Sequence, residues 1–439
     1  MIPARRFCRS GWFCVVACVV LVSACTPDEA ATPDPVIVEV PRLVTPASTI
    51  GFESSTGVIR IGIVADLSGP GAAIARSQVA GAEAYWSTVN AGGGIDGRFP
   101  VELVVRDTAG SAANAVVAYR ELRDSVVMMG QVVGTNTTDA IRELLRADGV
   151  LGVPTTRQRV WTSIENLIPL GSSYAVESIS GISYMAERDG AGRVWCVVFD
   201  RTKEGEDSLF GAVLASQNLE AVPEFGSLAN EEGADFVLDD AGPGDEARLV
   251  GEAIELGCER LWLASDAETS NRVIGQAAAV AAEFDIGVGS EVGLPLADDV
   301  VAWATEHLTV VVDAPSWGDA GLGARALREA VDRNVPDVRP NGWLRTGFTS
   351  QYAVDVILTT SVRDGDLSRE NLLDLWGRLG PVDSGGLAGS PDWREDPPAI
   401  PTTVTVHVVD QVGVDPLGLR VEATYTSPIV GAVTQAGDG

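Results

Sequence analysis

Residues 92–97 read G-G-G-I-D-G and fit the G-x-G-x-x-G pattern of a dinucleotide-binding loop. Such a loop cradles a pyrophosphate only when it follows a strand and opens a helix, because the helix N-terminus and free backbone N–H groups then face the phosphates. Here the order is reversed. GAEAYWSTVN before the glycines has helical spacing and PVELVVRD after them alternates like a strand. Gly92 to Gly94 are therefore expected to cap a helix, and Asp96-Gly97 to form a tight turn. Other reactive side chains are few. His307 and His407 stand a hundred residues apart in strand-like surroundings and are expected to be structural, and Lys203 is the sole lysine, so Schiff-base or P-loop lysine chemistry has almost no candidate. The chain contains no nucleophile elbow, zinc-protease helix, P-loop, C-x-x-C pair or EF-hand loop. With 61 acids, carboxylate pairs for acid–base hydrolysis single out no position. The expectation is a chain without cofactor or metal that is not an enzyme.

The elements that must position any site follow from periodicity. GVIRIGIVAD reads as a buried strand, AIARSQVAGAEAYWSTVN as a helix, PVELVVRD as a strand, SAANAVVAYRELRD as a helix, VVMMGQVVG as a strand, TTDAIRELLRAD as a helix and GVLGVPT as a short strand. Strands separated by helices of this length specify a doubly wound α/β lobe with a parallel sheet covered on both faces. The pattern restarts after residue 172 with SSYAVESISGISYMAERDG, RVWCVVFD, EDSLFGAVLASQNLE, DEARLVGEAIELG, RLWLASD and NRVIGQAAAVAAEF. Beyond Asp299 come a strand in HLTVVVDAP, helices in ARALREAVDRN, SQYAVDVILTTSVRD and ENLLDLWGRLG, and a closing pair of strands, VTVHVVDQ and LRVEATYT.

At 439 residues, 46% hydrophobic and 21% charged, the chain is long enough for two globular lobes. Its 31 basic residues against 61 acidic ones repel phosphates, which argues against nucleic acid as a partner. MIPARRFCRS carries three arginines and no acid, and an apolar stretch too short to span a bilayer comfortably follows it. Residues 1–24 read as a signal peptide. Its end, Leu21-Val22-Ser23-Ala24-Cys25, resembles a bacterial lipobox, which implies diacylation of Cys25 and anchoring at the outer face of the cytoplasmic membrane; a conventional cleavage site or an uncleaved anchor is the alternative. Residues 25–57, rich in Pro, Thr, Ser and acids, read as a tether. Cys196 and Cys258 are then the remaining pair, expected as two separately buried thiols.

The succession strand-DLSGPGA, helix-NAGGGIDGR, strand-RD and the GQVVGTNTT loop followed by GVLGVPTT resembles the leucine/isoleucine/valine-binding type of ABC-transporter substrate-binding protein. The resemblance implies a type I periplasmic binding protein: two doubly wound lobes joined by a three-crossover hinge, with the ligand between them. Lobe 1 would span 58–172, lobe 2 would span 173–298, and 299–400 would return to lobe 1 with a hinge crossover. Residues 401–439 would supply closing strands across the hinge and a flexible C-terminal tail. The implied partners are a small ligand, an ABC permease and its ATPase subunits, with the chain itself acting as a monomer. A ligand-sensing receptor of the same fold, coupled to signalling, is the alternative.

The resemblance also carries over a site. The ligand carboxylate would be held by the loops at Gly134-Thr135-Asn136-Thr137 and Pro154-Thr155-Thr156, where hydroxyl and amide donors sit before a helix dipole; Thr135 or Asn136 would equally serve to cap the helix. Arg157 stands nearby, either for a carboxylate or as a surface charge. The ammonium would meet Asp266 or Glu268 in RLWLASDAET. Where the family places an aromatic in the second lobe this chain has Glu204, so Tyr174 and Phe348 are the candidates for apolar walls.

Overall fold

Strand β2 (Val58–Ala65) shows why the first lobe forms where it does: Ile59, Ile61 and Ile63 on one face and Val64 on the other are all fully buried, as a strand covered by helices on both sides requires. The computed structural model describes residues 44–431, apart from 190–193, 220–234, 239–241, 243, 290–295 and 411–414. The expected leader, Cys25 and most of the tether lie outside these residues, as does the end of the C-terminal tail. β2 is preceded by the two-residue β1 (Phe52–Glu53), which pairs with it antiparallel. There follow α1 (Ala72–Ala91), β3 (Val101–Asp107), α2 (Ala112–Leu122), β4 (Met128–Val132), α3 (Thr135–Ala147) and β5 (Gly152–Pro154). The parallel strands lie in the order β3-β2-β4-β5.

Residues 44–57 were expected in the tether. Instead Phe52 is fully buried, its ring edge-on to Phe99 at 5.7 Å, so part of this stretch packs on the first lobe. The glycine-rich stretch does punctuate the chain: Gly93, Gly94, Asp96 and Gly97 all have positive φ between α1 and β3, and the Gly94 N–H closes the helix end on Val89 O at 3.0 Å.

The second lobe holds α4 (Tyr174–Asp189), β6 (Trp195–Phe199), α5 (Lys203–Leu219), β7 (Asp235–Leu238), α6 (Glu246–Glu255), β8 (Arg260–Ala264), α7 (Ala267–Ala279), β9 (Asp285–Val288), α8 (Asp298–His307) and β10 (Leu308–Val312). The chain then runs through α9 (Leu322–Asn334), α10 (Gly342–Thr349), α11 (Gln351–Asp364) and α12 (Arg369–Trp376) to β11 (Thr403–Val409) and β12 (Leu419–Thr426). The second sheet has the order β12-β11-β10-β9-β8-β6-β7, with β11 and β12 antiparallel to their neighbours. β10 therefore belongs to the second lobe, because Leu308 to Val310 pair parallel with Ile286 to Val288. The return to the first lobe begins at α9, not at residue 299.

Cys196 on β6 and Cys258 before β8 form a disulfide with Cα atoms 5.8 Å apart. The expectation of two separate thiols is thus corrected. β6 and β8 are adjacent parallel strands, and pairing Cys196 with Leu261 brings the two cysteines together near the starts of these strands.

Helices α9 to α11 cover the first lobe. α10 packs on α1 at glycine contacts: a Cβ on Gly347 would stand 1.9 Å from Gln78 O, and one on Gly81 would stand 2.3 Å from Leu344 O. Only glycine permits this approach. Three crossovers join the lobes, between β5 and α4, between β10 and α9, and between α12 and β11. One carboxyl oxygen ties them together. Asp313 Oδ2 accepts from the Ser172 N–H at 2.8 Å and from the Gly389 N–H at 3.0 Å, while the Gly171 N–H donates to Gly389 O at 2.9 Å.

Candidate functional site

A cavity opens where these crossovers meet the first lobe. Its wall takes Thr155 and Arg157 from the end of β5, Tyr174 from the start of α4, Asp313 from the second crossover, and Trp343 and Arg345 from α10. Strand ends and helix starts of both lobes converge here, as expected for ligand sites in open α/β sheets.

The electrostatics are set by four charges. Arg157 Nη1 donates to Glu177 Oε1 at 2.6 Å, and Glu177 is fully buried. The Arg157 guanidinium also lies 5.2 Å from the centre of the Tyr174 ring. Burial raises the Asp313 carboxyl above the ordinary carboxylate range, against the stabilising donations from Gly389 and Ser172. Burial and the nearby Arg157 push Arg345 down to about 10.

Beside the cavity the lobes touch directly. Thr135 Oγ1 donates to Glu204, Lys203 pairs with Asp139, and Arg159 Nε stands 3.2 Å from Asp207 Oδ1. These contacts join α3 and the turn after β5 to the first turns of α5. Burial raises the carboxyls of Asp200 and Glu204, and raises Asp207 to about 7 although Arg159 and two backbone N–H groups favour its charged form.

The residues singled out from sequence divide between these places. Thr155 and Tyr174 line the cavity, the Thr155 hydroxyl donating to Gln78 Oε1 at 3.0 Å. Thr135 opens α3 and engages Glu204, and Asn136 beside it is exposed. Thr156 accepts from Trp161 Nε1 at 3.2 Å. Asp266 caps α7 by accepting from the Thr269 N–H at 2.7 Å, and its own N–H donates to Asp200 at 2.7 Å. Glu268 is exposed and pairs with Arg272 one turn on, at 2.8 Å. Phe348 is core, with Tyr85 at 5.1 Å and Tyr352 at 6.0 Å. Sequence reasoning missed Trp343, Arg345 and Asp313. GWLRTGFT lacks an apolar helical stripe, and the glycine that seats α10 gives no periodic signal.

Among the described residues no group of His, Cys, Asp and Glu is arranged to hold a metal ion, and no helix is long and apolar enough to cross a membrane.

The fold has close counterparts. A fatty acid ABC transporter substrate-binding protein from Thermomonospora curvata superposes with a TM-score of 0.74 at 18% identity, covering 87% of this chain and 95% of that one. A branched-chain amino acid ABC transporter protein from Thermus thermophilus with bound valine gives 0.68 at 15% identity, covering 86% and 98%. In sequence, the Leu/Ile/Val-binding protein homolog 3 of Brucella melitensis biotype 1 is 35% identical over 112 residues, 25% of this chain and 30% of the relative. The alignment thus spans under a third of that relative's length. The model of the family described as periplasmic binding protein matches residues 58–374, most of the chain, and the protein belongs to that family.

Proposed function

We propose that this protein is an extracytoplasmic solute-binding lipoprotein of an ABC importer, holding an amino acid or related small polar solute between its lobes and presenting it to a permease. The observation that carries the reading is the hinge cavity, whose wall is drawn from both lobes and all three crossovers. A ligand bridging such a wall stabilises the closed form through contacts that exist only when the lobes meet, and a permease recognises that form. Thr155 and Tyr174 are the proposed contacts in the wall, with Thr135 and Glu204 closing the cleft beside it. The valine bound in one structural counterpart and the fatty acid named for another both carry a carboxylate. Cys25 would be the lipid site, with the residues up to Leu43 spacing the lobes from the bilayer.

Thermal melts of residues 44–439 against amino acids, amides, short peptides and organic acids test the binding reading. A ligand at about 100 times its Kd stabilises by about 2.7 kcal/mol, a clear shift. No shift across the whole panel would remove the proposal's support. Incorporation of labelled fatty acid into the full chain, lost in Cys25→Ser, tests the anchor.

A further inference from the structure

Among the described residues, one cation of the hinge cavity has no carboxylate in ion-pair contact. Arg345 is 9% exposed, and its Nη1 donates to Pro315 O at 2.8 Å. Among the described residues no carboxylate stands within ion-pair distance of its guanidinium. A charge taken out of water without a counter-charge is costly, so proteins pair nearly all of them. The acids that act on it at longer range, Asp415, Glu177 and Asp313, hold other donors, Asp415 taking the Gly318 N–H at 3.0 Å and the Leu417 N–H at 2.8 Å. Glu177 Oε1 takes Arg157 Nη1 at 2.6 Å and the Asp313 N–H at 3.3 Å, and Asp313 Oδ2 takes the two crossover N–H groups. Arg157 itself adds like charge, which is one reason the Arg345 pKa falls to about 10. At neutral pH the guanidinium remains ionised.

The threonine and serine hydroxyls of the wall point elsewhere. Thr155 donates to Gln78 Oε1, Thr346 to Gly342 O at 3.1 Å, Thr349 to Arg345 O at 2.8 Å and Ser350 to Gly347 O at 2.9 Å. Beside Arg345 Nη2 there is room, since a Cβ built on Gly342 would still stand 3.9 Å from it. The remaining wall is largely apolar, with Leu170, Tyr174, Trp343 and Leu387. The one carboxylate of the wall, Asp313, already holds two protein donors on Oδ2.

We propose that the ligand of this cavity is a small organic acid whose carboxylate pairs with Arg345 while its uncharged body lies against Tyr174, Trp343 and Leu387. The inference rests on the solute-binding reading above and narrows it: the α-ammonium of an amino acid is not a required feature, and the anion is. Planar, forked donors suit a carboxylate, and the low-dielectric wall strengthens the pair.

Isosteric probes on residues 44–439 test it: 4-methylpentanoate, 4-methylpentanamide and leucine share a branched skeleton, and benzoate with benzamide supplies a second one. Titration calorimetry on wild type should show the acid of a skeleton binding at least 10-fold tighter than its amide. In Arg345→Gln that acid should weaken about 10- to 100-fold while the amide changes less than about threefold. Arg345→Lys should recover part of the loss. A structural defect would weaken acid and amide alike, so equal loss overturns the proposal. Leucine or an amide binding as well as the acid to wild type overturns it too while leaving the solute-binding reading intact. Binding by none of the probes, nor by the wider panel, removes both.

Discussion

Arg159 clasps Asp207 from the opposite side of the cleft: its Nε stands 3.2 Å from Oδ1 and its backbone N–H donates to Oδ2 at 3.1 Å. The Ala175 N–H adds a third donor at 3.3 Å. Burial nevertheless outweighs these partners and raises the Asp207 pKa to about 7.

This has a signed consequence for stability. Between the ordinary carboxylate value and about pH 7 the folded chain keeps a proton on Asp207 that the unfolded chain releases, so stability falls as pH rises through that window. The ceiling of the effect is about 4 kcal/mol for a shift of this size. Melts should rise as pH is lowered from 7.5 towards 5, and Asp207→Asn should flatten that slope. A slope unchanged in Asp207→Asn would remove Asp207 as its source.

Gly347→Ala should be among the most damaging single-methyl additions in the chain. The new Cβ would stand 1.9 Å from Gln78 O, a backbone atom that cannot swing aside, so α10 must lift from α1. Overpacking of this kind costs about 3 kcal/mol or more. Urea unfolding should show the loss, and because α10 carries Arg345 and Trp343, ligand affinity should fall as well. Gly251→Ala, where the added methyl meets nothing within 4 Å, is the control.

The Cys196–Cys258 bridge closes a loop of 62 residues within the second lobe. Restricting the unfolded chain by a loop of that length contributes about 4 kcal/mol in the chain-entropy account. Cys196→Ala with Cys258→Ala should lower the urea midpoint accordingly. Residues 44–439, denatured without reductant, should yield no titratable thiol.

The direct contacts between lobes should hold the cleft shut. Thr135→Val with Lys203→Ala removes the donors to Glu204 and Asp139, leaving the buried Glu204 carboxylate without the Thr135 hydroxyl. X-ray scattering should report a larger radius of gyration for this variant than for wild type. An identical value would assign closure to the hinge instead.

Much of the architecture was legible because buried strands and amphipathic helices leave periodic traces. VVMMGQVVG and RLWLASD announce themselves as strands by apolar content alone, and each proves buried along its length. Short elements left no such trace: β9 has four residues, too few to establish a period. Strand-end position, with the family pattern, pointed to Thr155, and a helix start by the crossover pointed to Tyr174; both line the cavity. Glu268 is exposed and paired with Arg272, since an acid after a strand is equally suited to an (i, i+4) pair on the surface. Arg345 was out of reach for another reason. Its burial depends on the close approach of Gly81 and Gly347, which are far apart in sequence, and no local pattern encodes a contact between them. The disulfide was hidden likewise, since only sheet order puts β6 beside β8.

Lys203, the chain's single lysine, stands at the junction of the lobes against Asp139 with its side chain half exposed. Apart from the amino terminus, an amine-reactive fluorophore therefore has one place to attach. The molecule comes with its own reporter handle: without any engineered cysteine, the dye would sit at the junction of the lobes.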